Sequence, residues 1–238
     1  TKFSMTFNIS AHTFLPNDRL PEGIIFPQQT HGNKIVEVIT GHETLRNCDG
    51  LWTRCSSLPF LRADTRRTES SFLLGVKTAD CAPICLWDDE KYGILHAGWR
   101  GVVNGAVENM LEIFSVESLS HGERLGEGHS AQSPLPQSLR LGGKSNELNI
   151  WVGPLFPEFQ IQMDDCYQQI QGKFGDQFFR KREEQIIFEF KRCLQSLLPP
   201  QTLFDERSTF KAPELASWRR DKSFPNGQNS TVIGYCNL

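Results

Sequence analysis

Residues 92–114 read YGILHAGWRGVVNGAVENMLEIF and carry two periodicities in succession. Residues 92–97 form a mainly apolar run of strand length. After Gly101, the apolar residues Val103, Ala106, Val107, Met110, Leu111 and Phe114 recur at three- and four-residue spacing, the period of an amphipathic helix. A strand, a tight Gly-containing turn and a helix in that order predict an α/β fold.

Working outward, residues 72–76 and 82–87 are two further apolar runs. The acidic turn Asp88-Asp89-Glu90-Lys91 joins the second of them to 92–97 as a hairpin, and the three runs are expected to form one core sheet. Upstream, residues 24–39, IIFPQQTHGNKIVEVI, set two short β-rich runs around a polar turn, which puts His31 at a strand end beside Gly32. Downstream, residues 118–149 are rich in Gly, Ser, Pro, Gln and charge, too polar to bury a core, and are expected to form a flexible surface insertion. Regular structure resumes at Ile150-Trp151-Val152. Asp164 or Asp165 is placed to cap a short helix through Tyr167, Ile170 and Phe174. A second helix is expected over 183–198, with a stripe of Ile186, Ile187, Phe190, Cys193, Leu194 and Leu197, closed by Pro199-Pro200. Residues 231–236 read as a last strand. No repeat is visible, and residues 1–238 read as a single domain.

Composition narrows the function. Hydrophobic residues make up 38% of the 238, enough for a continuous core. A net charge of −3 and a pI of 6.1 provide no overall basic field for nucleic acid or anionic lipid, so a small-molecule partner is expected. No run approaches the ~20 apolar residues of a membrane span and the first residues lack a signal-peptide core, so the expected location is the cytoplasm. Seven widely spaced cysteines, an odd number, read as reduced thiols.

His31, Cys81 and His96 each stand at a predicted strand end beside small residues, where three borderline-soft donors can converge on one zinc ion. By spacing alone a second reading stays open: His96 as a hydrogen-bonded core histidine and Cys81 as a small buried hydrophobe. Arg100 precedes the helix expected from Val102, where free N–H groups favour a phosphate; the plainer alternative is a pair with a carboxylate at the helix start. Asp80 is either a general acid/base or, more commonly for a carboxylate beside a ligand, a group that orients a histidine.

The words Gln29-Thr30-His31-Gly32, Asp49-Gly50-Leu51-Trp52-Thr53, Lys77-Thr78-Ala79-Asp80-Cys81-Ala82-Pro83 and His96-Ala97-Gly98-Trp99-Arg100-Gly101, in this order, resemble the YfiH-type family of laccase-domain proteins. The resemblance spans about residues 27–115, with an echo in Ser217-Trp218-Arg219-Arg220-Asp221. It implies mixed β-sheets flanked by helices and one zinc on His31, Cys81 and His96. It also implies an activity among those associated with the family: phosphorolysis of adenosine, inosine or methylthioadenosine, adenosine deamination, polyphenol oxidation, or editing of peptidoglycan precursors. A multicopper oxidase needs many histidines, commonly as His-x-His. This chain has six histidines and no such pair, which favours zinc over copper.

A zinc-dependent purine nucleoside phosphorylase is therefore expected, with phosphate as co-substrate, the metal on His31, Cys81 and His96, and Arg100 binding substrate. The alternatives are a hydrolase using Cys81 as nucleophile and His96 as base, and a zinc-stabilised binding module without turnover. The chain departs from the family at residues 152–159, VGPLFPEF, which lack a family cysteine.

Overall fold

The computed structural model describes residues 9–55, 72–115, 147–224 and 226–235. Its centre is a six-stranded mixed sheet built from β3 (Ile35–Glu37), β4 (Gly50–Arg54), β6 (Ala82–Trp87), β7 (Lys91–Ala97), β8 (Asn149–Val152) and β12 (Leu203–Phe204), in the order β12-β8-β6-β7-β4-β3. The hairpin at Asp88–Lys91 forms as expected, with Asp88 Oδ1 accepting from the N–H groups of Glu90 and Lys91.

Strand β7 is buried along its whole length because both faces of the sheet are covered. Residues alternate between the faces. Ala82, Ile84, Leu86, Leu95 and Ala97 pack towards the helices, while Cys85, Tyr92 and Ile94 pack towards a second sheet. That second sheet contains β1 (Ile9–Phe14), β13 (Asn229–Tyr235), β5 (Leu73–Thr78) and β2 (Ile24–Ile25), in that order. The run at 72–76 thus belongs to a different sheet from its successors, contrary to the expectation of one core sheet. Both are continuous apolar runs, and nothing in such a run says which sheet will take it.

The helices cover the other face. The helical period after Gly101 is realised as two helices, α1 (Trp99–Val103) and α2 (Ala106–Ser115), where one was expected. Gly105 at φ +84° supplies the left-handed residue that breaks them. Ala106, Val107, Met110 and Phe114 are buried as the period requires.

Helix α3 (Asp165–Phe174) is capped by Asp164, whose carboxylate accepts from the N–H groups of Cys166 and Tyr167. The expected helix over 183–198 is corrected to a strand followed by a helix. Residues Gln185–Phe188 form β11, paired with β10 (Phe179–Arg182) and β9 (Phe159–Ile161) in a three-stranded antiparallel sheet, and only Phe190–Leu197 is helical (α4). The β-branched pair Ile186-Ile187 and a two-residue turn with Glu183 at φ +54° favour the hairpin over the first helical turns. A short helix, α5 (Trp218–Asp221), precedes β13.

Most of the expected insertion, 118–146, and Cys236 lie outside the described residues; Asn149 already belongs to β8. Among the described residues no helix is long and apolar enough to cross a membrane.

Candidate metal centre and adjoining cavity

Three elements deliver donors to one edge of the six-stranded sheet. His96 is the penultimate residue of β7, and Cys81 lies in the turn between β5 and β6, immediately before Ala82. The pairing of Pro83 with His96 and of Ala82 with Ala97 brings these two chain segments side by side. His31 does not end a strand: it sits in the loop before β3, exposed, at φ +62°. A left-handed non-glycine residue is strained and needs surrounding structure to hold it.

Asp49 does the holding. Its fully buried carboxylate accepts from the backbone N–H groups of Thr30 (3.2 Å), His31 (2.8 Å) and Gly32 (2.7 Å), and from the Thr30 hydroxyl (3.3 Å). The same carboxylate accepts from His96 Nδ1 at 2.8 Å, while the Asp49 backbone carbonyl accepts from the His96 N–H at 2.7 Å. A carboxylate at that distance fixes the proton on Nδ1 and leaves Nε2 as the donor to a metal. One side chain therefore orients one histidine and shapes the loop that carries the other.

The ligand atoms of His31, Cys81 and His96 all lie within 4.8 Å of one another, and they are the one such group among the described residues. The two imidazoles meet edge to face with centroids 4.8 Å apart. Gly98 makes room for them: a Cβ there would fall 3.0 Å from the His31 ring and 3.1 Å from Cys81 Sγ.

The charges suit a cation. Burial pushes the Cys81 thiol up, but hydrogen bonds from His31 and His96 outweigh it and bring the thiol down to about 6. Burial opposes charge on His96, yet Asp49 and Cys81 raise it to about 9. Burial likewise opposes charge on Asp49, but His96 and the N–H groups of Gly32 and Thr30 draw it down to about 2. A thiolate, a nitrogen presented by a fixed tautomer and a second imidazole fit a borderline-soft divalent ion.

Asp80 is not the histidine-orienting group that its position beside Cys81 suggests. Its carboxylate accepts from Thr209 Oγ1 (2.9 Å) and from the backbone N–H of Arg219 (2.7 Å), and its carbonyl accepts from the Phe156 N–H (2.9 Å). It fastens the Cys81 turn, strained at φ +98°, to two distant segments. The orienting role falls to Asp49, whose signal in the sequence was its Asp-Gly word ahead of a strand.

Beside the three donors lies a cavity of about 1160 Å³. The donors do not line it. Its lining includes Trp99 and Arg100, which follow Gly98 in the chain, and Phe156 and Arg219, which Asp80 holds. The segment departing from the family pattern, at 155–159, forms one wall, and Cys166 of α3 contributes to the lining. Arg100 stands within the first turn of α1 rather than ahead of it. Its guanidinium lies 4.6 Å from the centroid of the Trp99 ring and forms no ion pair among the described residues. A five-residue helix has little dipole to offer an anion, so Arg100 can serve a phosphate only through its guanidinium.

Comparison with known proteins gives a consistent family. The profile of the family described as multi-copper polyphenol oxidoreductase laccase matches residues 12–126. A purine nucleoside phosphorylase of Aquifex aeolicus is 27% identical over 212 residues, covering 89% of this chain and 84% of that protein. A purine nucleoside phosphorylase of Staphylococcus saprophyticus is 37% identical over 89 residues, covering 37% of this chain and 32% of that one. An adenosine deaminase from an unknown prokaryotic organism is 26% identical over 102 residues, covering 38% and 34%. Among solved structures, the hypothetical protein YfiH of Bacillus licheniformis shares the fold with a TM-score of 0.61 at 21% identity, over 90% of this chain and 74% of that one. YlmD of Geobacillus stearothermophilus has a TM-score of 0.60 at 17% identity, over 90% and 74%.

Proposed function

We propose, from the premise that this chain belongs to the YfiH-type laccase-domain family, that it is a zinc-dependent purine nucleoside phosphorylase. It would split the N-glycosidic bond of adenosine, inosine or methylthioadenosine with phosphate as acceptor. One observation carries the reading: the donor atoms of His31, Cys81 and His96 converge within 4.8 Å beside an aromatic, cationic cavity.

His31, Cys81 and His96 would hold the ion, which when bound supplies Lewis acidity towards a substrate group or water. The chain's own residues do the rest. Asp49 keeps His96 in the tautomer that presents Nε2. Trp99, half-buried on the lining, would give a purine the part of its ring that Arg100 leaves uncovered, and Arg100 offers its in-plane N–H groups to the phosphate. Relatives named purine nucleoside phosphorylase support this assignment, and the relative named adenosine deaminase supports water as an alternative acceptor. Three donors make a place for one ion, and a multicopper cluster would need several more histidines than the six in this chain.

A second reading has its own observation. Cys81, His96 and Asp49 also form the thiol, imidazole and carboxylate series of a cysteine hydrolase, with a lowered thiol and a backed histidine. A thiolate bound to zinc is a poor free nucleophile, so metal content separates the two. The deciding experiment is metal analysis of the purified protein together with adenosine turnover with and without phosphate, products resolved by chromatography. About one zinc per chain and adenine release only with phosphate are expected. Inosine formation independent of phosphate would reassign the acceptor to water. Absence of metal, with Cys81 alkylated rapidly near neutral pH, would transfer the assignment to the hydrolase.

A further inference from the structure

We propose that Arg219 and Arg100 form a two-armed subsite for a phosphoryl group on the cavity wall beside the metal centre. The inference deepens the reading above and rests on it for what the anion does in the reaction. The binding itself is argued from the two side chains.

Arg219 and Arg220 are adjacent on α5 and are put to opposite uses. Every arm of Arg220 is consumed: it donates to Asp221 and to the carbonyls of Thr209, Ala212 and Leu215, which staples the 209–215 loop. The Arg219 side chain has no hydrogen bond or ion pair among the described residues. Its guanidinium lies 3.7 Å from the centroid of the Phe159 ring, half-buried, in the wall of the cavity. The neighbouring carboxylate, Asp80, is occupied by Thr209 and by the Arg219 backbone, so it positions Arg219 through the main chain.

Arg100 lines the same cavity, more exposed than Arg219, stacked on Trp99 and without a carboxylate partner among the described residues. Stacking an arginine on a ring leaves its in-plane N–H groups free, and those edges are what grip tetrahedral oxyanions bidentately. The two guanidiniums and Cys166 line the same cavity, and both guanidiniums act on the Cys166 thiol, pulling against the burial and the Asp164 charge that push it up to about 11. Burial disfavours the half-buried Arg219 cation, and Asp80 compensates only through space, so a bound anion would supply the hydrogen-bonded partner that the guanidinium lacks. Three acidic residues of the lining are committed elsewhere, Asp205 to Arg207, Glu158 to Arg180 and Asp164 to the cap of α3, while Glu206 makes no ion pair among the described residues.

The phosphoryl group could arrive as free phosphate or on a nucleoside monophosphate, and a single calorimetric series separates these sources. The purified protein and its Arg219→Gln, Arg219→Lys and Arg100→Gln variants are titrated with inorganic phosphate, with adenosine 5′-monophosphate and with adenosine. Arg207→Gln serves as a control cation already paired on the same wall, and thermal unfolding checks that each variant is folded. Loss of one charge-assisted hydrogen bond should weaken phosphoryl binding by at least about tenfold in Arg219→Gln and in Arg100→Gln. Adenosine binding should change little. Arg219→Lys should recover only part of the loss, because a lysine lacks the planar fork.

Tighter binding of the monophosphate than of adenosine, competed by phosphate, assigns the subsite to a nucleotide. Phosphate binding that persists alongside adenosine assigns it to the free anion. Equal phosphate and monophosphate affinities in wild type and Arg219→Gln, or no phosphoryl binding by the wild type, would overturn the subsite. Arginine-dependent anion binding without adenine release would leave the subsite standing and overturn only the phosphorolysis reading.

Discussion

Replacing Asp49 by Asn tests whether one buried carboxylate builds the metal centre. Three donors face Oδ2 (the Thr30 N–H, the Thr30 hydroxyl and the Gly32 N–H), and two face Oδ1 (the His31 N–H and His96 Nδ1). An asparagine oxygen can replace only one of the two acceptors. If it faces Thr30 and Gly32, its NH₂ confronts His96, which must move its proton to Nε2, the nitrogen meant for the metal. If it faces His96, two loop N–H groups lose their partner and the strained His31 loop is released. Each unpaired buried group costs about 1–3 kcal/mol, so the metal-free variant should lose roughly 2–4 kcal/mol of stability. Zinc affinity should fall about 10- to 100-fold, the usual cost of removing the partner of a ligand histidine. Competitive zinc titration against a chelating dye, paired with thermal unfolding with and without metal, measures both. A stability loss with zinc affinity unchanged within threefold would reduce Asp49 to a structural residue and refute the argument.

The companion variant Asp80→Asn should destabilise the protein through the lost Thr209 and Arg219 bonds, yet change zinc affinity by only a few-fold, because Asp80 touches neither histidine; equal zinc losses in the two variants would erase the distinction. Gly98→Ala should push a methyl group towards the His31 ring and Cys81 Sγ, weakening zinc binding more than it lowers the unfolding temperature of the metal-free protein. Zinc affinity should also rise with pH. Cys81, lowered to about 6, is already a thiolate at neutral pH, whereas His96, raised to about 9, holds a proton that the metal must displace. The gain should be roughly tenfold per pH unit between these values, steeper below and flat above; a pH-independent affinity would contradict the assignment. In the metal-free protein, the stabilisation from the raised His96 should be complete below its ordinary value of 6.5 and disappear as pH rises through about 9, read by urea unfolding across that range.

Local periodicity encodes those pieces of the structure that could be read from the order of residues alone. The strand–turn–helix at 92–114, the hairpin at 88–91, the Asp164 cap and the strand at 150–152 were legible because apolar spacing and turn chemistry are properties of neighbouring residues. The donors His31, Cys81 and His96 were legible as residue types set in distinctive words. Their convergence is a property of three chain segments, and only the tertiary structure brings them within 4.8 Å.

The same limit explains the differences. An apolar run does not declare its sheet, so β5 was grouped with β6 and β7 although it pairs with β13. The stretch from Ile186 to Leu197 has apolar residues at helical spacing, and its first part becomes a strand because β9 and β10 are there to pair with it. Of two aspartates in family words, Asp80 adjoins a ligand in sequence but bonds residues more than a hundred positions away. Asp49 is 47 residues from His96 and bonds its ring. Arg219 and Arg220 are indistinguishable as a dipeptide, and the loop around them consumes one and leaves the other facing the cavity. Which polar side chain serves the fold and which remains for a ligand depends on partners that the chain brings close only by folding.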